Sequence, residues 1–117
     1  MPGQWSLPPS AFKMLIDTGA DHTSVDASVI APWGLHAGTA FKSQTMGGIV
    51  AARAYDVALS IRDSKGNLVI QFDPLPVVAR RNSPFDGLPF LGLLGRDVLD
   101  RGVFFYNGKG TYCTLAF

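Results

Sequence analysis

Asp17, in the stretch KMLIDTGADHTSVD, is the residue whose type and position best suit acid–base chemistry. The apolar run Met14–Ile16 ends directly at this carboxylate, and a buried carboxylate has to be paired or neutralised. Gly19 permits a tight chain reversal that exposes the carboxylate at the mouth of the turn, where it is available for proton transfer. The same pattern also fits an Asp-containing β-turn that merely ends a strand, so the tripeptide DTG alone decides nothing.

A second segment, LLGRD, repeats the arrangement of two apolar residues followed by glycine, here before a short helix. Its Arg96 offers a planar, bidentate partner for a carboxylate near the first loop, and Asp21 is the natural candidate. Taken alone, this segment fits equally well a strand-to-helix turn that carries a surface arginine.

Short strands separated by turn residues are the elements that must position these side chains. We expect a strand in AFKMLID, two arms around MGGI between Thr39 and Ile61, and short strands LVIQF and PLPVVA on either side of Asp73-Pro74. ASVIAPWGL predicts a short helical turn closed by Gly34, and a late helix covers roughly Arg96 to Arg101. VFFY and TYCTLAF form a hairpin across NGKG. The pattern predicts a small, closed-barrel-like all-β domain.

Composition indicates one globular domain over residues 1–117, because nearly half of the residues are hydrophobic and only 16% are charged. The formal net charge of +1 gives no global field that would favour nucleic acid or acidic membranes as partners. The natural chain could be longer at its N-terminus.

Cysteine and histidine content limits the cofactors that the chain could hold. Cys113 is the only cysteine, so no internal disulfide and no cysteine-based metal site can form. With only His22 and His36 besides, a zinc site is not expected, and we predict neither a metal nor another cofactor. No apolar run reaches membrane-spanning length, and no signal-peptide pattern is present. These absences favour a cytoplasmic location for this domain.

The chemical segments together resemble the retropepsin-like (retroviral-type) aspartic proteases. The resemblance rests on LIDTGAD (Leu15–Asp21), MGGI (Met46–Ile49) and LLGRDVL (Leu93–Leu99), which occur in the family's order, with the closing CTLAF as a weaker match. It covers most of the chain and implies a retropepsin (acid protease) fold with a flap hairpin and one short C-terminal helix. In this family each chain supplies half of the active site.

The resemblance also implies roles for individual residues. Asp17 corresponds to the catalytic aspartate, and Thr18 to the residue that grips the opposite loop. Asp21 and Arg96 correspond to a salt-bridged pair beside the site, and Gly19 and Ala20 complete the loop. The flap would consist of Met46, Gly47, Gly48, Ile49 and Val50, and the side-chain pockets would be lined by Leu91 and Leu93.

The implied function is that of a homodimeric aspartic endopeptidase. Two Asp17 carboxylates about 3 Å apart cannot both ionise, so they share one proton and activate a water that attacks the peptide bond. The substrate would bind as an extended strand under the flap. The alternative is a non-catalytic peptide-binding or dimerisation module of the same fold, and a third interpretation is an inactive, monomeric fragment.

Ala20 carries an expectation about pH. Pepsin-type sites often place a hydroxyl residue after Asp-Thr-Gly, and that hydroxyl stabilises the ionised carboxylate. Alanine cannot donate a hydrogen bond, so the ionised form receives less support. The sequence therefore predicts a mildly acidic pH optimum and not a strongly acidic one.

Overall fold

The computed structural model describes residues 11–36, 38, 40–45, 48–82 and 84–117. The elements in chain order are β1 (Leu15–Ile16), β2 (Ser24–Asp26), α1 (Ala27–Ile30), a 3-10 helix (Ala31–Trp33), β3 (Ala40–Thr45), β4 (Gly48–Arg62), β5 (Leu68–Arg80), β6 (Gly92–Leu94), α2 (Arg96–Leu99), β7 (Val103–Asn107) and β8 (Tyr112–Ala116). The predicted β class is confirmed, since strands dominate these residues and the helices are single turns. Within the described ranges, no helix has the length and apolar character needed to cross a membrane.

Six strands form one open sheet in the order β1-β6-β2-β5-β4-β3, and β7 and β8 form a separate two-stranded sheet. A barrel closes only when the two edge strands of its sheet hydrogen-bond each other. Here β1 and β3 lie at opposite edges of the sheet. The predicted closed-barrel-like architecture is therefore wrong: β1, with two residues, is too short to carry a ladder around to β3.

Strand β6 is inserted between β1 and β2, which follow each other in the chain. It runs parallel to β1, with Ile16 opposite Leu94, and antiparallel to β2, with Ser24 opposite Leu93. Because β1 and β6 are parallel, their carboxyl ends lie at the same end of the sheet. The loop that follows β1 and the turn that follows β6 are therefore brought side by side.

One long strand, β5, replaces the two short strands predicted around Asp73-Pro74. Proline cannot donate a ladder hydrogen bond, which favoured a break at this point. The sheet instead shifts register: Val57 pairs with Leu75 and Leu59 pairs with Phe72, so two residues of β5 lie opposite one residue of β4. This bulge accommodates the proline while the strand continues on both sides.

The core is formed by side chains from β2, β5, β6 and both α-helices. Its buried members are Val25, Ile30, Phe72, Leu75, Val77, Leu94, Val98 and Leu99.

The predicted first helical segment is confirmed, and it ends at Gly34, whose φ of 61° lies in the left-handed region. The late helix is shorter than predicted and ends at Leu99, after which a turn leads to Gly102. Packing of α2 on the core fixes the start of this helix beside β1.

Both predicted hairpins are confirmed. β3 and β4 are antiparallel, from Ala40 opposite Arg53 to Thr45 opposite Gly48. The tip of this hairpin, Met46 and Gly47, lies outside the described residues. β7 and β8 pair over their whole length at the C-terminal end.

Candidate active site

Asp17 lies at the end of the main sheet and is held there by its backbone. Its N–H donates to the carbonyl oxygen of Leu94 at 3.0 Å, which extends the pairing of β1 with β6 by one residue. Ile16, directly before it, packs against the core. The Asp17 side chain itself is half-buried. Strand pairing therefore fixes the position of the carboxylate that the sequence singled out.

The residues after Asp17 form a tight turn around its carboxylate. Asp17 Oδ1 accepts a hydrogen bond from the N–H of Gly19 at 2.9 Å, while no hydrogen bond from the described residues reaches Oδ2. The N–H of Ala20 donates to the Asp17 carbonyl oxygen at 3.2 Å. A Cβ on Gly19 would lie 3.3 Å from the same Oδ1, so glycine lets the turn close this tightly. Thr18 is exposed at the tip of the turn.

The loop is joined to α2 by two contacts of Arg96. Its backbone N–H donates to the carbonyl oxygen of Ala20 at 2.8 Å. Its guanidinium Nη2 forms an ion pair with Oδ1 of Asp21, the partner suggested by the sequence. The two side chains are 50% and 70% exposed, and an exposed ion pair contributes only about 0–1 kcal/mol. The pair therefore orients the loop more than it stabilises the fold.

Hydrogen bonds between the buried Thr23 and the partly buried Asp97 support the loop from its inner side, and sequence reasoning missed both residues. Thr23 is completely buried, and its Oγ1 donates to Asp97 Oδ1 at 2.6 Å. The Thr23 N–H also donates to the Asp97 carboxylate, at 3.0 Å to Oδ2 and 3.1 Å to Oδ1. The N–H of Gly95 donates to Thr23 Oγ1 at 3.1 Å, and that of Val98 donates to Asp97 Oδ1 at 2.9 Å.

The only sequence signal for this network was the position of Asp97 in the first turn of a helix. An acidic residue there interacts favourably with the free N–H groups of the helix start. That signal explains the bond to Val98, but it does not reveal the long-range bonds to Thr23.

Close backbone packing behind the loop requires glycine at two positions. A Cβ on Gly95 would lie 2.6 Å from the carbonyl carbon of His22 and 2.9 Å from the nitrogen of Thr23. A Cβ on Gly92 would lie 2.7 Å from the carbonyl oxygen of Ser24. Because backbone atoms cannot move aside as a flexible side chain can, the glycines of LGLLG let β6 and its following turn approach the loop.

The two predicted pocket residues lie in and beside β6. Leu91 is exposed, and its N–H donates to the carbonyl oxygen of Lys13 at 3.0 Å. Leu93 is half-buried in the middle of β6, between Leu15 and Ser24 on the neighbouring strands. Both are thus connected to the Asp17 loop through the backbone.

The predicted flap residues belong to a different part of the sheet. β4, which carries Gly48, Ile49 and Val50, is separated from β6 by β2 and β5 in the strand order. Ile49 lies opposite Gln44 and is exposed, while Met46 and Gly47 lie outside the described residues. The described structure therefore gives an antiparallel β3–β4 hairpin at the position of the predicted flap, separate from the loop that holds Asp17.

A cavity of about 890 Å³ lies beside the loop. It is lined by His22 and Asp97 and by residues of β4 and β5 such as Asp56 and Pro76, and Asp17 is not among its lining residues. Among the described side chains, no group of three or more His, Cys, Asp or Glu could hold a metal ion.

Two comparisons with known proteins found no match to this chain. No protein-family model matches the chain, and no curated protein matches it at a significant level. The chemistry of the site therefore has to be judged on the position and contacts of its own residues.

Proposed function

We propose that the chain is an aspartic endopeptidase of the retropepsin-like type, in which two copies bring their Asp17 carboxylates together. The observation that carries this proposal is the placement of Asp17. Its main chain is fixed on Leu94, one carboxylate oxygen is bound by the N–H of Gly19, and the side chain stays half-exposed at the end of a sheet. A half-exposed carboxylate with one oxygen that no described donor reaches supports a role in proton transfer.

The proposed mechanism, in which an activated water hydrolyses the peptide bond, needs a second proton-transfer group beside Asp17. One group has to take a proton from the attacking water, and another has to donate a proton to the carbonyl oxygen. Two carboxylates about 3 Å apart supply both functions, because their mutual repulsion keeps one proton shared between them. The tripeptide Asp-Thr-Gly occurs once in the chain, so in this proposal the second carboxylate is Asp17 of another copy. The pair then titrates as a unit.

The substrate in this proposal is an extended peptide segment. Main-chain pairing with the flap arms would hold its backbone, and apolar pockets would take alternate side chains. The exposed Ile49 and Leu91 favour apolar residues on either side of the cleaved bond.

Hydrolysis of a peptide library by the purified chain and by an Asp17→Asn variant tests the proposal. We expect the wild-type chain to cleave at mildly acidic pH and to be inhibited by pepstatin, a statine transition-state mimic. Asn keeps an oxygen that can accept the Gly19 N–H, so the loop should survive. It cannot exchange the proton, and the rate should fall by at least roughly 10²–10⁴-fold. Asp86→Asn, at an exposed acid in another loop, is the matched control and should leave the rate unchanged.

The other outcomes separate the rival interpretations. Cleavage that persists in Asp17→Asn contradicts the mechanism. Absence of cleavage by a wild-type chain that forms a stable dimer supports a non-catalytic peptide-binding or dimerisation module. A chain that stays monomeric at every concentration supports an inactive fragment.

A further inference from the structure

The turn between β7 and β8 begins with a dipeptide, Asn107-Gly108, that the proposed function does not use. Asn107 is the last residue of β7 and lies opposite Tyr112, the first residue of β8. The residues between them, 108–111, form the turn, and all of them are exposed. Water therefore reaches the Asn107 side chain from the turn, and a small molecule released there can diffuse away.

The side-chain amide of Asn107 is bound by the backbone of the turn. Its Oδ1 accepts a hydrogen bond from the N–H of Gly110 at 2.7 Å. A backbone N–H about 2.7–3.1 Å from a carbonyl oxygen stabilises the negative charge that develops on this oxygen when a nucleophile attacks the carbonyl carbon. The bond from Gly110 therefore polarises the Asn107 amide towards attack at Cγ.

The nucleophile nearest to this carbon along the chain is the backbone nitrogen of Gly108. Among the described residues, none accepts a hydrogen bond from the Gly108 N–H, so no such bond has to break before the nitrogen reacts. Glycine has no Cβ beside this nitrogen and adopts a wide range of backbone conformations. The nitrogen can therefore approach Cγ of Asn107 without a steric barrier from its own residue.

We infer that Asn107 is a site of spontaneous deamidation in the folded chain. The Gly108 nitrogen bonds to Cγ of Asn107, its proton passes to Nδ2, and the Cγ–Nδ2 bond breaks with release of ammonia. The cyclic imide that forms then adds water. Attack of water at Cγ gives aspartate, and attack at the main-chain carbonyl carbon gives isoaspartate, whose main chain runs through the former side chain. The reaction consumes water, releases ammonia and involves no oxidation or reduction.

Both products place a carboxylate in a turn that held a neutral amide. This adds one negative charge to a chain whose formal net charge is +1. Isoaspartate also lengthens the main chain at the end of the ladder, where it pairs with Tyr112. The contacts of β8 with the rest of the protein lie at the other end of the hairpin, where Leu115 packs against the core and Phe117 meets Phe72. Deamidation should therefore alter the turn and leave the core folded.

The other two asparagines of the chain provide internal controls. Asn67 is followed by Leu68 and Asn82 is followed by Ser83, so in both cases a side chain stands beside the attacking nitrogen. Among the described residues, no N–H donates to the side-chain oxygen of either asparagine. Both should therefore deamidate more slowly than Asn107.

Incubation of the purified chain at mildly alkaline pH, followed by isoelectric focusing and peptide mapping, tests the inference. We expect an acidic species that focuses with the Asn107→Asp variant, with the change confined to the peptide that contains Asn107. Gly108→Ala should slow its formation at least about tenfold, because the added methyl group hinders the approach of the nitrogen. Lys109→Arg is the matched control, since it keeps the charge and the Gly108 nitrogen, and it should change the rate by less than about threefold. Circular dichroism checks that the variants fold.

Three results would overturn the inference. The first is an Asn107 that stays intact in the folded chain while it deamidates in the urea-unfolded chain, because the turn would then protect the amide. The second is an acidic species that forms equally fast in wild type and in Gly108→Ala. The third is equal deamidation of Asn67 and Asn107 in the folded chain. No peptide substrate enters these measurements, so their outcome is independent of the proposed peptidase.

Discussion

Replacing Thr23 by Val tests whether the buried network holds the candidate site in place. Valine keeps the branched shape of threonine and replaces the hydroxyl by a methyl group. That hydroxyl donates to Asp97 at 2.6 Å and accepts the N–H of Gly95 at 3.1 Å. The substitution therefore breaks two hydrogen bonds that join the residue before β2 to Gly95 and to Asp97 in α2, without creating a cavity.

The magnitude follows from the burial of the groups that lose their partners. Thr23 is completely buried, so water cannot replace its hydroxyl. A hydrogen bond to a charged group contributes about 1.5–3 kcal/mol, and a buried donor left without an acceptor, here the Gly95 N–H, costs about 1–3 kcal/mol. Asp97 keeps its bonds from the backbone N–H groups of Thr23 and Val98, which limits the loss. We expect a decrease of about 3 kcal/mol, a large share of the 5–15 kcal/mol typical of a domain.

Urea unfolding followed by circular dichroism, at one fixed protein concentration, measures this effect. Thr23→Ser is the control, because serine keeps the hydroxyl and loses one methyl group, at a cost of about 1 kcal/mol. Thr23→Val should therefore be less stable than Thr23→Ser by about 2 kcal/mol, which shifts the urea midpoint by about 1 M. Equal stability of the two variants would refute the assignment of the hydroxyl as a link between the two segments.

Three further predictions concern separate parts of the chain. Gly95→Ala should destabilise the fold by about 1–3 kcal/mol or more, because the added Cβ would lie 2.6 Å from backbone. Gly108→Ala, whose Cβ would meet only a tyrosine side chain at 3.2 Å, should cost clearly less in the same urea titration. Under the proposed function, Ala20→Ser adds a donor that favours the ionised site and should extend activity to lower pH; a pH–rate profile that moves to higher pH contradicts this. The backbone N–H of Asn67 is the main cause that holds the pKa of Asp63 below its usual value of 3.8. Ionised Asp63 therefore stabilises its turn above pH 3.8, and this contribution is lost as the pH falls further. The difference in urea midpoint between wild type and Asp63→Asn should accordingly shrink between pH 6 and pH 3, and a difference that grows would show the opposite linkage.

Local sequence signals predicted the elements of the fold well where neighbouring residues determine them. Glycines at turns and alternating apolar residues indicated both hairpins, and Gly34 indicated the end of the first helical segment. The signals failed where distant residues decide the outcome. The continuity of β5 through Asp73-Pro74 depends on a bulge formed with β4, and barrel closure depends on whether β1 can reach β3. Neither is encoded in a local pattern.

In the candidate site, too, contacts indicated by local residue types were predicted, and contacts that depend on distant residues were not. Charge complementarity was enough to pair Arg96 with Asp21, because both are ions in segments that flank the same loop. Thr23 gave no comparable signal, since a threonine after a loop is ordinary at the start of a strand. Its importance arises from complete burial opposite Asp97, which follows from the insertion of β6 between β1 and β2. The insertion of β6 is a property of the sheet topology, and no local sequence pattern around Thr23 predicts it.

Two of the side-chain links between the Asp17 loop and α2 differ in strength, and the difference bears on the proposed second copy. The Arg96–Asp21 ion pair is largely exposed and contributes about 0–1 kcal/mol, whereas loss of the Thr23 hydroxyl alone is expected to cost about 3 kcal/mol. The loop is thus held from its inner side. On its outer side Thr18 is exposed, and Asp17 Oδ2 receives no hydrogen bond from the described residues. Under the proposed function, an attachment on the inner side and an outer side that no described donor reaches would let two identical loops meet without either one having to refold.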